Sequence, residues 1–237
     1  MSQTKFIEYQ EGSTLLEGYL AEPSSSAQKK PAVIVAHDWS GRNEFACRKA
    51  DELAALGYVG FALDMYGKGK IGRTKEEKVA LMQPLATDRN LLLKRITAAF
   101  DTVKKLPQVD TSKIAAIGFC FGGLCVLDLA RSGTAMSGVV SFHGLLGAPD
   151  ATHQEKIVAK VLALHGYDDP MVTHEQVIAF GNEMTAAQAD WQVHMYGNTM
   201  HAFTNPEAND PDFGTVYNQT SAIRAWQTMK DLFAEIL

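Results

Sequence analysis

A chain of 237 residues with 46% hydrophobic and 21% charged content can bury a substantial core and has the composition of a globular protein. Its formal net charge of -5 argues against a nucleic-acid footprint, and the one basic knot, Lys68-Gly69-Lys70, reads as a solvated loop. Three cysteines, Cys47, Cys120 and Cys125, are too few and too irregular for a disulfide framework or a zinc site.

No apolar run approaches the length of a bilayer span, and Met1-Ser2-Gln3-Thr4-Lys5-Phe6 carries no apolar signal core. The expectation is a soluble, cytoplasmic protein with no metal and no organic cofactor. Neither a nucleic acid nor a membrane is expected as a partner. Oligomeric state is not readable from the chain.

In chain order, residues 4 to 9 and 16 to 22 read as two strands around a turn at Glu11-Gly12-Ser13, a hairpin at the start of a sheet. Pro31 precedes Ala32-Val33-Ile34-Val35-Ala36, a continuous apolar run of the kind a buried parallel strand requires. The loop His37-Asp38-Trp39-Ser40-Gly41 follows. An amphipathic helix then runs from about Glu44 to Leu56 and closes at Gly57, before a strand from Tyr58 to Leu63. Strand, helix and strand in that order make a βαβ unit and imply a parallel sheet.

Gly67 to Thr74 is a loop, the helix after it is expected to break near Pro84, and a longer helix from Thr87 or Asp88 to Leu106 places Leu92, Ile96, Phe100 and Val103 on one face. Beyond residue 124 the spacing gives strands at Gly138 to Phe142, Ile157 to Leu164 and Trp191 to Tyr196. A helix opens at the capping box Thr173 and Gln176, and another closes the chain from Ser221 to Ile236. With no repeat, linker or low-complexity tract, residues 1–237 read as one α/β domain.

The stretch that carries chemistry is Ile114-Ala115-Ala116-Ile117-Gly118-Phe119-Cys120-Phe121-Gly122-Gly123-Leu124. A strand ends at a cysteine between aromatics and glycines open the next helix, which is the grammar of a nucleophile elbow. Gly118 and Gly122, two residues either side of Cys120, let strand and helix approach. A thiol at a helix N-terminus sits at the positive end of the helix dipole, where an anion is favoured. A dinucleotide loop would need G-x-G-x-x-G, which is absent here. Cys125, inside the helix, reads as a small buried hydrophobe.

A cysteine hydrolase also needs a base, an orienting carboxylate and oxyanion donors. Of the seven histidines, His153 and His174 lie in polar contexts and His194 within a strand, which leaves His37, His143, His165 and His201 just beyond strand ends. The order nucleophile, acid, histidine picks His201 as base, with Asp168 or Asp169 as acid, and His165 as a brace for the turn between.

Gly118-Phe119-Cys120-Phe121-Gly122-Gly123, the segment His165 to Val172, and His201-Ala202-Phe203 together resemble the dienelactone hydrolase family. The resemblance runs from about Ala32 to the C-terminal helix. It implies an α/β-hydrolase fold, a mostly parallel central sheet with helices on both faces, and a triad of Cys120, Asp169 and His201, selecting Asp169 over Asp168. It further implies oxyanion donors at the backbone N–H groups of Phe121 and Trp39, and a role for Asp38 in holding the resting thiol. The activity implied is hydrolysis of a small ester or lactone through a thioester.

Asn205 stands where the family carries a carboxylate-clamping arginine, so that fork is missing. Competing readings are a thioesterase or small peptidase on the same scaffold, and a thiol protein that binds a ligand or senses oxidation without turnover.

Overall fold

The computed structural model describes residues 3–24, 28–149 and 156–237, so His153 lies outside the described residues. The chain divides into two compact units, Met1–Ile117 and Gly118–Leu237.

In the first unit, β1 (Gln3–Glu11) and β2 (Thr14–Glu22) form the expected antiparallel hairpin, with Glu11 opposite Thr14 and Gly12 at φ +54° in the turn. Then come β3 (Lys30–Ala36), α1 (Glu44–Ala55), β4 (Val59–Ala62), α2 (Lys75–Thr87), α3 (Arg89–Lys104) and β5 (Val109–Phe119), whose last two residues belong to the second unit. The strands lie in the order β1-β2-β4-β3-β5, with β3 and β4 parallel and β2 antiparallel to β4.

The reasons are local. Ala32 to Ala36 are wholly buried, as a continuous apolar run demands. Asn43 caps α1 by accepting from the Ala46 N–H. A Cβ on Gly60 would lie 2.3 Å from the Ala50 carbonyl oxygen, so α1 rests directly on β4.

Leu92, Ile96, Phe100 and Val103 are the buried stripe of α3. Helix α2 departs from expectation by running through Pro84 to Thr87. Proline removes one intrahelical donor, but the helix is exposed around Ala80 and Pro84, where water can serve the orphaned carbonyl.

The second unit holds α4 (Phe121–Arg131), β6 (Gly138–Phe142), β7 (Lys160–Gly166), α5 (His174–Ala186), β8 (Trp191–Tyr196), β9 (Asn209–Asp210), β10 (Thr215–Val216) and α6 (Gln219–Ile236). Strands β6, β7 and β8 are neighbours in that order and all parallel, so the sheet is mostly parallel with helices between its strands, as expected. Phe142 pairs with Leu164 and Leu164 with His194, which brings the strand ends, and the loops that follow, to one side.

The capping box at Thr173 and Gln176 forms. Strand β7 starts at Lys160 rather than Ile157, because Ile157 and Ala159 are buried without strand pairing while Val158 is exposed.

Candidate active site

Strand β5 ends at Phe119, and Cys120 takes φ +54° and ψ -115° at the N-cap of α4. A non-glycine residue in this region is strained and persists only where its surroundings dictate it. They do so here. The Cys120 N–H donates to the Phe142 carbonyl at 3.1 Å, and the Gly123 N–H to the Cys120 carbonyl at 3.0 Å. A Cβ on Gly118 would stand 2.0 Å from the Gly122 oxygen, and one on Gly123 2.5 Å from Ser141 Oγ. The strand-to-helix turn therefore closes only with glycine at both positions. Cys120 is half-buried, whereas Cys125 is sealed in the core as expected.

The loop after β7 presents two aspartates that do different things. Asp169 is buried. Its Oδ2 lies 2.7 Å from His201 Nδ1, and its Oδ1 accepts the Met171 N–H at 2.8 Å. Asp168 instead accepts the Thr199 N–H at 3.0 Å, while its own N–H donates to the Thr199 carbonyl. Asp168 thus ties the β7 loop to the β8 loop, and Asp169 alone reaches the imidazole.

His201 is held by structure that the sequence did not announce. Its N–H donates to the Gly214 carbonyl at 3.0 Å and its carbonyl accepts from Val216 at 3.1 Å, a bridge to the small β9–β10 pair. A Cβ on Gly214, at φ +78°, would lie 2.1 Å from Pro170 Cγ, so this turn also packs against the loop carrying Asp169.

With Nδ1 committed to Asp169, the Nε2 face remains. It is fully buried and completes no hydrogen bond among the described residues. Burial alone would lower the pKa of the ring. The Cys120 sulfur and the Asp169 carboxylate outweigh burial and raise it to about 10. Cys120 is thus near the imidazole, and the histidine is a strong proton holder.

Two more imidazoles lie nearby. His143, directly after β6, is buried, with Nε2 2.7 Å from Thr204 Oγ1. His165, at the end of β7, was expected to brace the turn; its ring faces the Val172 backbone of that turn, although neither ring nitrogen completes a well-aligned hydrogen bond among the described residues. Burial lowers both pKa values, so both rings are neutral.

His174 meets the Tyr167 carbonyl and is exposed. His37, in the first unit, is also neutral through burial. It accepts the Met65 N–H on Nε2, so its Nδ1 is the protonated nitrogen and donates to the Asp38 carbonyl at 2.6 Å.

Asp38 and Trp39 belong to the first unit. Asp38 Oδ1 accepts the Ser40 N–H at 2.7 Å, the Trp39 carbonyl accepts from Tyr66 Oη at 3.0 Å, and Lys78 Nζ lies 5.4 Å from the centre of the Trp39 ring. These contacts fix the loop after β3. Asn205 Oδ1 accepts the Glu207 N–H at 3.0 Å, so the side chain is engaged by its own turn.

Among the described residues no group of three or more His, Cys, Asp or Glu is placed to hold a metal ion, and no helix is long and apolar enough to cross a membrane.

Known proteins share this arrangement of elements. A family model described as the dienelactone hydrolase family matches residues 16–237. A solved dienelactone hydrolase-like promiscuous phosphotriesterase from metagenomic libraries is 35% identical, covers 99% of this chain and 98% of its own, and superposes with a TM-score of 0.95. A Synechocystis protein named "Putative carboxymethylenebutenolidase" is 29% identical over 92% of this chain and 91% of its own length. A Bradyrhizobium protein named "Probable 2-oxo-3-(5-oxofuran-2-ylidene)propanoate lactonase" is 27% identical over 88% and 84%. One family model thus runs through both units and takes in the elbow, the aspartate loop and the histidine loop, and the chain belongs to the dienelactone hydrolase family, carboxylic ester and lactone hydrolases of the α/β-hydrolase fold.

Proposed function

We propose that the chain hydrolyses small esters or lactones with Cys120 as nucleophile, His201 as general base and acid, and Asp169 as the carboxylate that orients His201. The observation that carries this reading is the buried 2.7 Å contact between His201 Nδ1 and Asp169 Oδ2, with the other face of the ring turned to a half-buried thiol in a strained elbow.

His201 Nε2 takes the Cys120 thiol proton, the sulfur anion adds to the carbonyl carbon, and the oxyanion is stabilised at the α4 N-terminus by the Phe121 N–H. The tetrahedral adduct expels the alkoxide, which takes the proton held on His201, and leaves a thioester on Cys120. His201, now neutral, removes a proton from water. The hydroxide adds, the C–S bond breaks to release the acid, and the departing sulfur recovers its proton from His201.

A thiolate suits strained lactones, activated esters and thioesters better than unstrained amides, because it is also a good leaving group. Asn205 occupies the position of the family's arginine and spends its side chain on Glu207, so the preferred substrate lacks the carboxylate that an arginine fork would clamp.

Replacing Cys120 by Ala and assaying p-nitrophenyl acetate and a simple γ-lactone tests the reading. Loss of both activities to background is expected, and survival of either excludes this nucleophile for it. A second substrate class is favoured by the 35% identical phosphotriesterase. The same sulfur can displace p-nitrophenolate from a p-nitrophenyl dialkyl phosphate, and that assay belongs beside the other two.

A further inference from the structure

The proposed chemistry leaves one buried group beside the base without a task. His143 follows β6, and its backbone sits at φ +39°, a left-handed value that a non-glycine residue adopts only when its surroundings dictate it. Its ring stands edge-on to that of His201 at 5.2 Å, and it packs against Phe203 at 5.3 Å and Phe119 at 6.0 Å.

Nε2 meets Thr204 Oγ1 at 2.7 Å, three residues beyond the base, while Nδ1 is buried with no hydrogen-bond partner among the described residues. The adjoining Phe142 carbonyl receives the Cys120 N–H, and the His143 N–H donates to the Leu164 carbonyl on the strand that leads to Asp169. One residue therefore touches the supports of nucleophile, acid and base at once. A ring bound for packing alone would be cheaper as phenylalanine, which leaves no nitrogen unsatisfied.

We propose that His143 is a positioning residue for the reaction: its uncharged ring, fixed by Thr204, holds the edge of the His201 imidazole so that Nε2 stays turned to Cys120. This rests on the reading of Cys120, Asp169 and His201 as the reacting groups.

The ring must stay uncharged, because a cation there would oppose the proton that His201 carries. The titratable groups around it are His201 and His165, with Asp169 and Cys120 reached through His201. Burial, and then repulsion from His201, hold the His143 pKa well below the usual histidine value.

The test uses the full chain and p-nitrophenyl acetate, with Cys120→Ala as reference. If Cys120→Ala turns over like the parent, the nucleophile reading fails and this proposal with it. If Cys120→Ala is inactive, the His143 variants decide the proposal on its own.

His143→Phe is expected to lower kcat by about 10- to 100-fold with KM within about twofold, as for a reacting group displaced by about an ångström. The His201 ring titration, followed by 15N NMR, should move down from about 10 towards the ordinary value. Thr204→Val should shift both readouts in the same direction. His143→Gln, which can still reach Thr204, should recover most of kcat.

A folded His143→Phe and Thr204→Val with kcat within about twofold of the parent, or an unmoved His201 titration, overturns the proposal. Should His143→Phe fail to fold, the near-isosteric Thr204→Val decides alone.

Discussion

His201 Nδ1 and Asp169 Oδ2 meet at 2.7 Å with both side chains almost wholly out of water, while the neighbouring Asp168 turns away to the Thr199 N–H at 3.0 Å. Two adjacent carboxylates therefore have separable consequences. Asp169→Asn keeps the shape but loses the charge that holds the imidazolium, and kcat/KM of the folded protein should fall by about 10²- to 10⁴-fold. Asp168→Ala removes a loop tie, and urea unfolding should show a loss of about 1–2 kcal/mol with kcat/KM of the folded protein nearly unchanged. The reverse pattern would assign the orienting role to Asp168.

The elbow gives a prediction about folding. In Gly118→Ala the new methyl would stand 2.0 Å from the Gly122 carbonyl oxygen, a backbone atom that cannot yield without moving α4. Urea unfolding should register a loss of about 3 kcal/mol or more. Gly147, whose added Cβ would meet no atom within 4 Å, is the control, and Gly147→Ala should change stability by less than about 0.5 kcal/mol.

Stability should fall off on both sides of neutrality. His37, His143 and His165 are buried neutral, with folded pKa values below the ordinary 6.5. As pH drops below 6.5 the unfolded chain takes up protons that the folded chain refuses, so stability is lost through that range. His201 has the opposite sign. Its folded pKa is raised to about 10, so its contribution is complete below 6.5 and disappears as pH climbs through about 10. Urea midpoints measured between pH 5 and 10.5 on the parent and on His201→Gln should show the alkaline decline flattened in the variant, and an identical decline in both would contradict the raised pKa.

The turn at Gly214 should affect activity although it carries no reacting group. Gly214→Ala pushes a methyl towards Pro170 and places a side chain at φ +78°. Because the Gly214 carbonyl holds the His201 N–H, base and acid loops are disturbed together, and kcat should fall by about tenfold or more with KM little changed. An unchanged kcat in a folded Gly214→Ala variant would remove β9–β10 from the account.

Much of this was readable beforehand because it is periodic or punctuated. Ala32 to Ala36 and the Leu92, Ile96, Phe100 and Val103 stripe declare a buried strand and a helix face, and Gly118 declares a turn where nothing larger fits, although its spacing partner in the sequence is Gly122 while the second crowded glycine in the structure is Gly123.

The remainder depends on contacts distant in sequence. Two-residue strands such as Asn209–Asp210 and Thr215–Val216 have no period to detect, yet they hold His201 in place. Spacing left Asp168 and Asp169 equivalent, since only the β8 loop shows which carboxylate it claims. The buried Ile157 mimics the start of a strand, because an apolar run marks burial rather than pairing. His143 could be noted as a histidine beyond a strand end, but its left-handed backbone and its contact with Thr204 become visible only in three dimensions.

A covalent acyl group on sulfur is what the whole mechanism requires. Rapid-quench mass spectrometry of the protein during turnover of p-nitrophenyl acetate should find an added acetyl on the peptide containing Cys120. The adduct should be cleaved by hydroxylamine and should persist longer in His201→Gln. If turnover proceeds with no acyl group on that peptide at any quench time, or with the adduct on another residue, Cys120 is not the nucleophile.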